Sequence, residues 1–260
     1  MKKTLAIVGC GKLGKVIARA LSDGILPDYT LVGTYSRTYE KARELSAAFP
    51  DTCTPCEGVD DLLALRPDYI VEAASPAAMK QIALPALQQG ISIITLSIGA
   101  FADDEFYDRV KSAALSSGAR VYVASGATGG FDVLRTVTLM GDAKAEFFNE
   151  KGPDALRGTA VYEESLQNER KTVFEGTATQ AIELFPTKVN VTVAASRASV
   201  GPDKMKVTMV STPGFKGDTQ RVEISNPQVH AVIDVYSRTA EIAAWSVVRI
   251  LQNLVSPIVF

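Results

Sequence analysis

Through the first half of the chain, short β-branched apolar runs alternate with longer stretches whose apolar residues recur every three or four positions. The first run, residues 4–8 (Thr-Leu-Ala-Ile-Val), is almost uniformly apolar, as expected of a strand buried on both faces of a parallel sheet. A helical pattern carried by Val16, Ile17, Ala20 and Leu21 follows, and then a second strand at Tyr29–Tyr35. The same reading gives a helix over 38–49, a weak edge strand near 52–55 and a short helix at 59–65. Beyond these it gives strands at 69–73, 92–97 and 120–124, with helices near 77–89 and 103–116 between them. Strands alternating with helices of this length predict a doubly wound parallel sheet.

The texture changes near residue 130. Strands are expected at 159–162, 189–194, 206–211 and 221–225, in a more open, antiparallel sheet with one solvated face. Helical spacing over 232–254 predicts a closing helix. The fold class is therefore α/β: a Rossmann-type doubly wound parallel sheet with a second, smaller α+β domain. The division is a dinucleotide-binding domain over 1–128, an α+β domain over 129–231 for substrate or dimerisation, and a last helix at about 232–255 packing back on the first domain.

Chemistry enters at the first strand–helix junction. Gly9, Gly11 and Gly14 form a G-x-G-x-x-G turn, with Lys12 and Leu13 inside it. The first glycine permits the tight turn, the second lets a pyrophosphate approach the backbone, and the third lets helix and strand pack closely. The N–H groups that open the helix then face the phosphates. This predicts a site for NAD or NADP. At the end of the second strand an NAD site usually carries Asp or Glu for the ribose 2′-hydroxyl. Here the chain reads Ser36-Arg37-Thr38, two hydroxyls and a guanidinium that suit a 2′-phosphate and favour NADP. The alternative is that Arg37 is a solvated residue opening the next helix.

Three more loops follow strands of the same sheet, where ligands of such sheets lie. They are Ala73-Ala74-Ser75 after Glu72, Ser97-Ile98-Gly99-Ala100, and the glycine-rich stretch from Ser125 to Gly130 that contains Ala127. Composition adds little: 260 residues, 47% hydrophobic and 22% charged, with a formal net charge of −2. No basic surplus favours nucleic acid or an anionic membrane, so small molecules and other copies of the chain are the expected partners. The charged-then-apolar start, Met1-Lys2-Lys3 and residues 4–8, reads as a first strand rather than a secretion signal. No apolar run reaches bilayer length, and three cysteines do not make an even disulfide set, so a cytoplasmic protein is expected.

Read together, A-I-V-G-C-G-K-L-G at the N-terminus, V-E-A-A-S at 71–75, L-S-I-G-A at 96–100 and S-G-A-T-G-G-F-D at 125–132 resemble the L-aspartate dehydrogenase family, as do F-E-G-T-A at 174–178 and F-P-T-K-V-N-V at 185–191. The resemblance implies NAD(P)-dependent oxidative deamination of L-aspartate through iminoaspartate toward oxaloacetate, in NAD biosynthesis, by a homodimer. It places cofactor contacts on Gly9, Gly11 and Gly14, on Ala73, Ala74 and Ser75, on Ser97, Gly99 and Ala100, on Ala127, and on Asn190 toward the nicotinamide carboxamide. At the family's catalytic histidine this chain has Gln220, while its single histidine is His230. Glutamine cannot act as a general acid or base near neutral pH. Three readings stay open. His230 takes the role from another loop, Gln220 orients substrate while a Lys or Asp supplies the proton, or the chain is a divergent dehydrogenase or a non-catalytic NAD(P)-binding protein.

Other candidates are thinner. Cys53 and Cys56 form a C-x-x-C with no second pair. Arg135, Arg157, Lys188 and Arg197 have the chemistry to bind a substrate carboxylate, and Asp132 the chemistry to orient an amine or a water, or to cap a helix. No metal site is predicted. A Glu-Lys-Pro motif of sugar dehydrogenases is absent at Ser97-Ile98-Gly99, and residues 125–130 hold no nucleophilic cysteine of the semialdehyde dehydrogenase kind.

Overall fold

The computed structural model describes residues 2–185 and 189–260. They fall into two compact units, one made of residues up to 126 together with 241–260, the other of 127–240.

The first unit is built on β1 (Lys3–Val8), α1 (Lys12–Ser22), β2 (Tyr29–Tyr35), α2 (Tyr39–Ser46), β3 (Thr54–Cys56), α3 (Val59–Ala64), β4 (Tyr69–Glu72), α4 (Pro76–Gln88), β5 (Ser92–Thr95), α5 (Asp104–Ser117) and β6 (Val121–Val123). Its six strands pair in parallel in the order β3-β2-β1-β4-β5-β6. The order reverses direction between β1 and β4, which makes that edge the switch point where ligands of doubly wound sheets sit. Leu5, Ile7, Ile70, Ile93 and Ile94 are wholly buried, as a parallel sheet covered on both faces demands.

The second unit carries α6 (Phe131–Leu139), β7 (Lys144–Lys151), β8 (Lys171–Thr177), α7 (Ala178–Leu184), α8 (Asn190–Arg197), β9 (Lys206–Ser211), β10 (Asp218–Ser225) and β11 (His230–Ser237). Its sheet, β11-β10-β7-β9-β8, is mixed: β7 and β9 run parallel and the other pairs antiparallel. Four expectations are corrected here, the first that of an antiparallel sheet, since β7 and β9 pair in parallel. The stretch 159–162 is a turn, not a strand. Residues 189–194 open the helix α8, whose Thr192, Val193, Ala194, Ala195 and Ser196 are all buried. The expected helix from 232 begins as β11, alternately exposed and half-buried, and only α9 (Glu241–Val255) is helical. Strands β7 and β8 escape the sequence reading altogether.

Helix α9 belongs to the first unit. Ala244, Val247, Val248, Ile250 and Leu251 join the core formed by Leu5, Ile7, Ile17 and Leu31, and the Tyr29 hydroxyl donates to the Leu251 carbonyl at 2.7 Å. Among the described residues no helix is long and apolar enough to cross a membrane.

Candidate active site

Two regions hold the predicted residues. At the carboxyl edge of β1, Gly9 has φ +101°, and a Cβ there would lie 2.7 Å from the Ala73 carbonyl carbon. Only glycine tolerates both that backbone angle and that approach. A Cβ on Gly14 would sit 2.0 Å from the Gly9 carbonyl oxygen, so the third glycine is what lets α1 close on the turn. Gly11 differs, because a Cβ there meets nothing within 4 Å. It is the exposed N-cap of α1, with Lys12 and Leu13 starting the helix behind it, no side chain capping its N–H groups and no acid in its first turn. The helix start is thus free to meet an anion. The three glycines and α1 fit the pyrophosphate of a dinucleotide.

Ser36, Arg37 and Thr38 link β2 to α2, with Thr38 at the N-cap and Ser36 half-buried. Arg37 and Thr38 are exposed. Across the switch point Ala73, Ala74 and Ser75 join β4 to α4, and Ser75 caps that helix by accepting from the Ala78 N–H at 3.2 Å. Ser97 and Gly99 follow β5, the latter within a short 3-10 turn over Ile98–Ala102.

What organises these loops is Glu72, which the sequence reading passed over. Its side chain is 0% exposed. One carboxylate oxygen accepts from the N–H groups of Ala74 (2.8 Å) and Ser75 (2.9 Å) and from the Ser97 hydroxyl (2.9 Å). The other accepts from the Thr95 hydroxyl (2.7 Å) and the Ser97 N–H (3.2 Å). Burial pushes its pKa up, against the pull of these same donors. The Ser97 hydroxyl is therefore directed at Glu72. An acid closing an apolar strand, Ile70-Val71-Glu72, was the signal available in the sequence.

The second region lies in the other unit. Gln220 on β10 stands opposite Asn149 on β7, and Asp218 opposite Lys151, so all four side chains share one face of the sheet. With Phe147, Met209 and residues 190–192 of α8 they enclose a cavity of ≈ 130 Å³. Asn190 opens α8 and lines this cavity beside Gln220. Gln220 donates to Asp218 Oδ2 at 2.5 Å, Asn149 donates to Asp218 Oδ1 at 2.7 Å, and Lys151 Nζ lies 3.9 Å from the same oxygen. Lys151, Asn149 and Asp218 were not foreseen, because only strand register brings together residues some seventy positions apart.

His230 is elsewhere. It begins β11, rather than lying in a loop, and pairs with Ser225, so it points to the opposite sheet face from Gln220. The cross-strand partner of Gln220 is Val235, ~17 Å along the strand from His230. His230 Nε2 is 2.8 Å from Glu223 Oε1, a bond that holds Glu223 below the usual carboxylate range.

The remaining candidates disperse. Ala127 lies in the loop before α6, whose N-cap is Gly130, while Asp132 sits in the first turn rather than at the cap. Arg135 is exposed on α6, and Arg197 ends α8. Arg157 pairs with Asp154 and Glu164. Lys188 lies outside the described residues. Cys53 and Cys56 have thiols raised by burial, Cys56 to about 11, and no group of three metal-ligating side chains occurs among the described residues. A larger cavity of ≈ 540 Å³ lies along α5 and β6. It is lined by groups such as Val110, Leu115 and Tyr122, away from the glycine turn.

Comparison with known proteins gives these regions a context. Residues 9–124 match the homoserine dehydrogenase NAD-binding domain model, and residues 132–254 match the aspartate dehydrogenase C-terminal model. The chain is 31% identical to the L-aspartate dehydrogenase of Methanocaldococcus jannaschii over 98% of its own length and 97% of that protein's. It is 31% identical to L-aspartate dehydrogenase 2 of Bordetella bronchiseptica over 87% and 85%. Among solved structures, the aspartate dehydrogenase of Thermotoga maritima superposes with a TM-score of 0.77 at 28% identity, covering all of both chains. A hyperthermophilic archaeal homoserine dehydrogenase in complex with NADPH shares the fold at 0.64 and 12%. The chain belongs to the L-aspartate dehydrogenase family of NAD(P)-dependent oxidoreductases.

Proposed function

We propose that this protein oxidises L-aspartate to iminoaspartate, which water converts to oxaloacetate and ammonia, with NADP preferred over NAD as its dinucleotide. The observation that carries the reading is the open face at Gly11, set on a Rossmann switch point in a chain that matches L-aspartate dehydrogenases over 98% of its length. Gly9, Gly11, Gly14 and the start of α1, with Lys12 and Leu13, hold the pyrophosphate. The loop at Ala73, Ala74 and Ser75, together with Gly99, shapes the floor of the site, and Glu72 fixes these loops from beneath. Ser36, Arg37 and Thr38 receive the 2′-phosphate, for no carboxylate stands there to prefer a 2′-hydroxyl. When bound, the nicotinamide supplies the hydride acceptor.

The chain's own task is to orient the amino acid and to manage protons. An α-ammonium must shed a proton before its carbon can give up hydride. Gln220 cannot take that proton, and His230 faces the other side of the sheet. The titratable groups that line the cavity with Gln220 are Asp218 and Lys151, and we assign the proton traffic to them. Asn190 and Ala127 complete the set of cofactor contacts expected from the family.

The test is the appearance of reduced-nicotinamide absorbance with L-aspartate and NADP or NAD, run beside His230→Ala. Turnover that His230→Ala leaves intact is expected. Binding of NADPH without oxidation of aspartate, and without reduction of oxaloacetate in ammonia, would overturn the aspartate reading. It would favour instead a divergent dehydrogenase or a non-catalytic binder, the alternative that Gln220 supports.

A further inference from the structure

The cavity beside Gln220 is lined by two buried amides whose oxygens the protein leaves unmatched. Asn149 is 1% exposed and Gln220 4% exposed, and each leaves its side-chain carbonyl oxygen with no hydrogen-bond partner. Buried amide oxygens are rarely left so, because an unpaired acceptor has lost its water and gained nothing. The orientation of both amides is determined by their surroundings. Asn149 Nδ2 donates to Asp218 Oδ1 and, at 2.9 Å, to the Thr219 carbonyl, so turning the amide over would set oxygen against two acceptors. Gln220 Nε2 donates to Asp218 Oδ2, and turning it would set oxygen against a carboxylate. One carboxylate thus holds both amides by their nitrogens and leaves both oxygens unpaired.

We propose that Asn149 Oδ1 and Gln220 Oε1 form a subsite for a primary amine, and that it receives the α-amino nitrogen of the substrate. The identity of the amine as that of L-aspartate rests on the function proposed above. A primary amine or ammonium offers two or three N–H donors, one for each oxygen, while a hydroxyl offers one and a carboxylate none. The subsite therefore selects an amino acid over the hydroxy acid or plain dicarboxylic acid of the same shape. It does not select by charge, since Lys151 beside Asp218 balances that carboxylate and leaves no surplus to draw in a metal ion. The space of ≈ 130 Å³ is far more than one water needs and admits a substituted amine. On this view the glutamine at the family's histidine position has changed from a proton carrier to an acceptor.

The side-chain amide resonances of Asn149 and Gln220, assigned by through-bond NMR on the uniformly labelled wild-type chain, report on their own oxygens. Methylammonium chloride and L-aspartate are expected to shift both pairs saturably, and succinate and potassium chloride to leave them in place. Equal shifts from succinate, or from potassium chloride, would overturn the proposal, as would no response to either amine. A response to methylammonium without one to L-aspartate keeps the amine subsite and removes aspartate as its occupant. Turnover of aspartate with both amides unmoved does the reverse. Asp218→Asn, which frees both amides to turn, is expected to weaken the saturable methylammonium response of the two amide pairs about tenfold. A methylammonium response as strong in Asp218→Asn as in the wild-type chain would count against the orientation argument.

Discussion

Substituting alanine at the second or the third glycine of the turn should separate two losses that a glycine motif usually merges. In a helix interior, Gly→Ala ordinarily adds stability, about 1 kcal/mol. At Gly14 the new Cβ would fall 2.0 Å from the Gly9 carbonyl oxygen and 3.1 Å from its carbon. Both are backbone atoms that no rotamer can move aside, so α1 must lift by about an ångström, and overpacking of this kind costs roughly 1–3 kcal/mol. A 2.0 Å approach to backbone sits at the upper end of that range, so the net loss is about 2 kcal/mol and the expected fall in Tm roughly 4–8 °C. Gly11 has nothing within 4 Å and φ −83°, which alanine adopts freely. Its substitution should cost less than about 1 kcal/mol, the difference between glycine and alanine at an N-cap. The new methyl would instead stand where the pyrophosphate has to approach. Losing one or two charge-assisted bonds there weakens NADPH binding roughly 10- to 100-fold. Thermal unfolding and a fluorescence titration with NADPH measure both effects on each variant. Wild-type affinity in Gly11→Ala would refute the placement of the phosphates, and an unchanged Tm in Gly14→Ala would refute the close approach of α1 to the turn.

Two further outcomes follow from residues outside the turn. Arg37→Ala should weaken NADP about tenfold or more and NAD little, because only the former has a 2′-phosphate for the guanidinium; equal losses would show that Arg37 does not read the 2′ position. The thiols should resist alkylation near neutral pH, since burial pushes Cys10 up to about 12 and Cys56 to about 11 and so removes the thiolate. Rapid labelling by iodoacetamide in the native state would contradict that burial.

The parallel sheet was legible in the sequence because its strands, the edge strand β3 (Thr-Pro-Cys) apart, are short apolar runs set between amphipathic helices. The second unit was legible only at β9 and β10, for three physical reasons. In β7, Lys-Ala-Glu-Phe-Phe-Asn-Glu-Lys, charged residues alternate with apolar ones, and no unbroken apolar run marks the strand. The β-branched Val189, Val191 and Val193 suggested a strand, yet tertiary packing made residues 190–197 a helix, burying 192–196. Strand β11 alternates with a period of two, but its apolar residues run on toward α9 and the two periods blurred into one. The glycine turn, Arg37 and Gln220 were visible as residue types at known spacings. Glu72 could be seen but not interpreted, since its meaning lies in five donors from three loops and strands. Asn149 and Lys151 acquire theirs only from their register with β10.

The return of α9 to the first unit has a consequence for the order of events on the ribosome. Tyr29 and Leu251, joined by a hydrogen bond, are 222 residues apart. Residues up to 126 emerge with the core around Leu5, Ile17 and Leu31 still lacking Val247, Val248 and Leu251. The intervening 127–240 form a continuous unit and can finish first. At about 5–20 residues per second the unfinished nucleotide unit waits roughly 6–23 s for its last helix. During that time its exposed apolar stripe is a surface for chaperones or for aggregation. Expression yield should therefore depend on the fifteen residues of α9 more steeply than on any surface stretch of equal length.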